Sequence, residues 1–135
     1  MNIHQSLDQI LEANDCFAGA FYNRLDREQA NVFRHFEGVN LKRQANLLTN
    51  ALILIVKEYE TPNEAVKYYL RVLGTKHLRL EIDEQAFEPW KDTLLGALQD
   101  FHGADWNAEL AIQWTNAIEI AIAQMLIGYR EPHHT

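Results

Sequence analysis

Cysteine is nearly absent from this 135-residue chain: Cys16 stands alone, so no intrachain disulfide and no paired-thiol site can form. A lone thiol fits a reducing compartment. Positive charge is scarce as well. Twelve Lys and Arg stand against 19 Asp and Glu, a formal net charge of -7, and no basic cluster exceeds Lys42-Arg43. Nucleic-acid-binding surfaces concentrate basic side chains, so the composition argues against that partner. Long apolar runs are missing: the longest, residues 51–56, is far too short to cross a bilayer. Residues 1–9 lack the basic start and apolar stretch of a signal peptide. The expectation is a cytoplasmic protein with neither membrane nor nucleic-acid partners.

Several chemical signatures are also lacking. There is no HxxxH or HExxH for a protein-built metal cage, no GxSxG nucleophile turn and no phosphate-binding glycine loop. No residue is assigned a catalytic role.

What is present reads as helix throughout. With 47% hydrophobic and 23% charged residues, the chain can bury a core without staples. Residues 1–130 are expected to form one domain, and residues 131–135, with Pro132, His133 and His134, a disordered tail rather than a metal site. Ile3, Leu7, Ile10 and Leu11 give a short first helix, and Asn14-Asp15 starts a second with Phe17, Phe21 and Leu25 on one face. Short irregular helix follows to Phe36. Asn40 is a cap for a helix over residues 41–58 that carries Leu41, Gln44, Leu48, Ala51, Leu52 and Ile55 on one side.

Thr61-Pro62-Asn63-Glu64 reads as a helix start with Thr61 as cap and Pro62 in the first turn. Ala65, Val66, Tyr69, Leu70 and Leu73 then lead at helical spacing to His77. Two long helices complete the chain: residues 84–101, with Phe87, Trp90, Leu94, Leu95 and Leu98 buried and Gly103 as stop, and a last one from Asn107 carrying Leu110, Trp114, Ile118, Ile122, Met125 and Tyr129. No window reads as a strand. The fold class is all-α, with about seven helices.

His77 is the residue with the sharpest chemistry. A lone histidine at a helix end more often complements the negative end of the helix dipole than binds metal. If His77 does bind a metal, the other ligands must come from something other than protein. Its second ring nitrogen lies within reach of the Leu73 carbonyl one turn back, which would fix the tautomer. Tyr22 is either a core aromatic or a hydroxyl donor, and Gln44 either a solvated residue or an amide donor. Cys16 is expected to be a small buried residue. His4 and His102 show no partner pattern and are given no role.

Order and spacing together resemble a family. Leu73-Gly74-x-x-His77, followed by Ile82, Phe87, Leu94-Leu95 and Trp114, is similar to the proximal half of single-domain bacterial globins of the flavohaemoglobin-like, Vitreoscilla-type class. Phe21-Tyr22, with Phe36 fourteen residues on, resembles their distal tyrosine and haem-stacking phenylalanine. Lys42-Arg43-Gln44, with Leu48 one turn later, is similar to their distal glutamine segment. The likeness runs from about Ile3 to Tyr129.

The resemblance implies a globin fold enclosing haem b (iron protoporphyrin IX), with His77 as the metal ligand. A porphyrin needs two opposed apolar walls. Leu73, Ile82 and Phe87 would form the proximal one, and Phe36, Leu48 and Trp90 the distal one. Lys76 and Arg79 are either solvated charges or partners of the propionates, while Tyr22, Gln44 and Leu48 would face the gas.

The implied function is reversible binding of O₂, with CO and NO as further ligands, for transport or storage. The alternatives are a nitric oxide dioxygenase served by a separate reductase, since the chain ends at Thr135 without a reductase domain, and a gas-sensing module. The assembly state is expected to be monomer or small homo-oligomer.

The sequence departs from the family pattern in three places. Ala30 replaces a common proline. Phe87 stands where a tyrosine flanks the proximal histidine, and no glutamate accompanies it near residues 125–130, which weakens electron donation from His77. Trp90 replaces a smaller aliphatic residue and reads as core filling before it reads as a distal donor.

Overall fold

The computed structural model describes residues 1–132, with His35 described in its backbone alone. The expected disordered tail therefore lies, from His133 onward, outside the described residues. Among the described residues seven α-helices follow one another: α1 (Ile3–Glu12), α2 (Asn14–Glu28), α3 (Ala30–Phe33), α4 (Leu41–Glu60), α5 (Glu64–Arg79), α6 (Phe87–His102) and α7 (Ala108–Arg130). No strand occurs among the described residues. Short 3-10 turns at Arg34–Phe36, Glu84–Ala86 and Gly103–Asp105 join them.

Asparagine opens four of these helices. Asn2, Asn40, Asn63 and Asn107 each accept the backbone N–H of the third residue beyond, namely Gln5, Arg43, Val66 and Leu110. Each such cap stabilises its helix by about 1 kcal/mol. The cap of α5 is thus Asn63 and not Thr61, and Pro62 precedes the helix. The Asn63 side chain bonds forward to Val66, while its own N–H is held at 2.9 Å by the buried carboxylate of Glu58. α2 has no side-chain cap; Asn14 is its first helical residue. α6 ends at Gly103, whose φ of 56° suits glycine.

α7 runs through the middle of the molecule. It packs on α5 most extensively, and also on α4, α6 and α1, while α2 lies across α4 and α6. Trp114, Phe17, Phe21, Leu52, Leu70, Leu98, Leu110 and Ile118 are sealed in the core. Burial of Trp114 alone is worth about 3–5 kcal/mol against alanine. α7 is the one helix among the described residues long and apolar enough to cross a membrane. Here its Trp114, Ile118 and Met125 are core residues.

Three burial expectations are corrected. Tyr69 is 59% exposed: the face of α5 turned to α7 runs through Val66, Leu70 and Gly74, and Tyr69 lies about 100° round the helix from Leu70. Leu41 is exposed, in the first turn of α4, where it lines a surface groove with Gly19 and Lys42. Cys16 is exposed, because Phe17 and Ala18 take the inner face of α2.

Candidate functional site

His77 sits in the last turn of α5. Its Nδ1–H donates to the Leu73 carbonyl at 2.7 Å, the bond the helical spacing suggested. That bond fixes the proton on Nδ1 and leaves the lone pair on Nε2. Burial holds the imidazole pKa below its ordinary value, with the Leu73 bond opposing more weakly. The ring is therefore neutral at physiological pH, the state in which imidazole ligates a metal.

The proximal candidates gather around it. Phe87 is buried with its ring 6.0 Å from His77, and both Trp90 (6.5 Å) and Tyr129 (5.6 Å) meet Phe87 edge-on. Leu73 and Ile82 are half-buried and Lys76 is exposed. Trp90, placed by the sequence on the distal wall, thus packs on a ring that touches His77.

Phe87 has no hydroxyl, and the nearby phenol belongs to Tyr129. It donates to the Ile82 carbonyl at 2.7 Å. Burial, then the charges of Asp83 and Glu84, push the Tyr129 pKa up to about 12, so the phenol stays protonated and donating. Sequence reasoning saw Tyr129 only as an apolar face residue. Its hydroxyl at the end of a helical stripe was the available signal.

The distal candidates form a second group. The buried Tyr22 ring packs against Phe21 at 5.0 Å and Phe36 at 5.1 Å, and Phe36 against Phe33 at 6.4 Å. The Tyr22 hydroxyl lies 3.5 Å from the backbone carbonyl of Gln44, a long and weak bond. Burial raises its pKa to about 12 against the weaker lowering effect of the Gln44 side chain, so Tyr22 too remains a donor. Leu48 is buried one turn along α4, and the Gln44 side chain is half-buried. Tyr22 and Gln44 are brought together, though through Gln44's main chain.

The two histidines given no role both have partners. His4 lies 3.2 Å from Glu60 and 3.7 Å from Asp8 on the surface. His102 is buried: the Trp114 indole N–H donates to the Ser6 hydroxyl at 2.9 Å, and the Ser6 oxygen lies in hydrogen-bond contact with Nε2 of His102 at 2.5 Å. Neither histidine belongs to the His77 or Tyr22 group.

Among curated proteins, none matches the sequence. Among solved structures, the chain is similar to a protein of Pseudomonas aeruginosa described as structurally highly homologous to a human hemoglobin. The likeness has a TM-score of 0.77 and 23% identity, over 95% of this chain and 98% of that one. At that identity it speaks for the fold. The model of the globin family matches residues 20–126, a stretch that holds Tyr22 and His77 and, Tyr129 apart, the residues grouped around them. The chain belongs to the globin family.

Proposed function

We propose that this chain binds haem through Nε2 of His77 and serves to bind O₂ reversibly, with CO and NO as further ligands. The observation that carries the proposal is the Nδ1–H bond from His77 to the Leu73 carbonyl in a half-buried setting, which presents a neutral, oriented imidazole. Membership of the globin family, which implies a haem cofactor, supports the same reading. The residues present fit the group. Phe36, Leu48, Leu73, Ile82, Phe87 and Trp90 supply apolar surface, and exposed Lys76 a cation for a propionate. Non-covalent haem b suits a chain whose single cysteine cannot form a thioether attachment motif.

When bound, the haem, held by His77, would supply an iron able to take a diatomic gas. The chain's own part is to exclude water and to place a donor. Tyr22, kept protonated by burial, offers a hydroxyl whose present partner is distant enough to be exchanged for a polar ligand. Gln44 offers an amide from the first turn of α4, beside Tyr22.

Gas binding is favoured over nitric oxide dioxygenase chemistry by the partner of His77. A backbone carbonyl polarises an imidazole less than a carboxylate does, and Phe87 adds no hydrogen bond. The distal group keeps the flavohaemoglobin-like pattern and the proximal group departs from it. We read the chain as a single-domain globin of that broad class with a weakened proximal push.

The test is an absorption spectrum. Protein titrated with hemin is expected to take up one equivalent and, once reduced, to show a CO-dependent Soret shift. His77→Gly should lose the reduced five-coordinate spectrum and regain it with added imidazole. A wild-type protein that leaves hemin free overturns the proposal.

A further inference from the structure

The C-terminal half of α7 touches the proximal segment on both sides of His77. Before His77, the two helices cross backbone to backbone. A Cβ on Gly74 would come within 2.0 Å of the Met125 carbonyl oxygen, and one on Gly128 within 2.0 Å of the Arg71 carbonyl oxygen. Close crossing leaves no room for sliding, since either helix would drive main-chain atoms together. Thr75 sits 99% buried in the same crossing. Its single hydroxyl hydrogen has two acceptors in reach: Gly128's carbonyl at 2.9 Å on α7, and Arg71's at 3.2 Å on its own helix. The shorter contact is the one between helices. Arg71 adds a further bond, from Nε to the Gln124 side chain at 2.9 Å. After His77, the residue next to Gly128, Tyr129, holds the Ile82 carbonyl.

We propose that α7 acts as a two-point clamp on the proximal histidine, with Thr75 and Tyr129 as positioning residues. This rests on His77 being the haem ligand. The first point fixes the turn that carries Leu73, whose carbonyl orients the ring. The second fixes the loop to which the end of that turn is tied, because the Ile82 N–H donates back to the His77 carbonyl at 3.2 Å. The backbone on either side of His77 is thus referenced to one rigid rod. Thr75 and Tyr129 set the height and tilt of the imidazole through α5, which decides the strength of the bond it can make to a metal.

The test uses the hemin-loaded protein and the variants Thr75→Val, Thr75→Ser and Tyr129→Phe. The readouts are the iron–histidine stretch of the reduced protein by resonance Raman, and the rate of hemin transfer to an acceptor apoprotein. Thr75→Val and Tyr129→Phe are expected to shift or broaden the stretch and to speed hemin loss about fivefold or more. Thr75→Ser, which keeps the hydroxyl, should restore the wild-type band. An unchanged band in both Thr75→Val and Tyr129→Phe, in proteins that hold hemin, overturns the clamp and leaves the haem assignment standing. A wild-type protein with no iron–histidine band overturns both.

Discussion

Arg24 lays its guanidinium over the bare Cα of Gly96. A Cβ at Gly96 would come within 2.5 Å of the guanidinium carbon, while Arg24 reaches Glu28 at 2.9 Å and Asp100 at 2.6 Å. The obstacle is the end of a flexible side chain whose ion pairs are half in water. Such pairs contribute up to about 1 kcal/mol, and alanine in place of mid-helix glycine returns a similar amount. Gly96→Ala should therefore change stability by less than about 1 kcal/mol. Gly74→Ala meets main chain instead and should cost about 3 kcal/mol or more. Urea midpoints of the two variants give the comparison; equal values would remove the distinction between the crossings.

Glu81 is the one non-glycine residue with positive φ among those described, at 61°. A side chain in the left-handed region costs about 1 kcal/mol or more. Glu81→Gly should relieve that and raise stability by about 0.5–1 kcal/mol after the entropy glycine gives to the unfolded chain. A lower urea midpoint in Glu81→Gly would show that the Glu81 side chain stabilises the loop by more than its backbone costs.

Acid should weaken the apoprotein. Burial lowers the pKa of His102, against the nearby charge of Asp105, and burial also lowers that of His77. Below the ordinary histidine value of 6.5 the unfolded chain then binds more protons than the folded one, so stability is full above pH 6.5 and is lost as pH falls toward the depressed values. His4 runs the other way: Glu60 first, then Asp8, raise its pKa, and its share is present below pH 6.5 and lost as pH rises through that raised value. His4 is fully exposed, so the buried pair should set the slope. His102→Gln is expected to flatten the dependence of the denaturation midpoint between pH 5 and pH 7; an unaltered slope would take His102 out of the account.

On the gas side, Tyr22→Phe should raise the O₂ dissociation rate about tenfold or more, the worth of one hydrogen bond to a polarised partner in a dry site. Stopped-flow displacement of O₂ by CO measures it. An unchanged rate would mean that Tyr22 remains a core aromatic against Phe36.

Much of this molecule was readable from one dimension of pattern. Helical period, with Asn40 as a cap, placed α4 and the start of α7 to within a residue or two, because local chemistry decides those limits, while the helix expected from residue 84 begins as α6 only at Phe87, after a 3-10 turn. His77 and Leu73 were legible as a pair for the same reason, being one turn apart. What escaped lies between elements. Gly74 and Gly128 are ordinary glycines until two helices cross there. His102 looked partnerless because Ser6 is 96 residues away. Thr61 obeyed a capping rule that Asn63, two residues on, obeyed better once Glu58 held its N–H. Tyr22 and Gln44 lie side by side, but which atoms meet depends on the packing of α2 against α4, which no spacing encodes.

The bond from Trp114 to Ser6 spans 108 positions. During synthesis at about 5–20 residues per second, α1 leaves the ribosome many seconds before its indole partner exists. Ile3, Leu7 and Ile10 must wait in water for that interval, so the nascent chain carries a greasy leading helix as a client for chaperones, and its final docking marks the completed molecule.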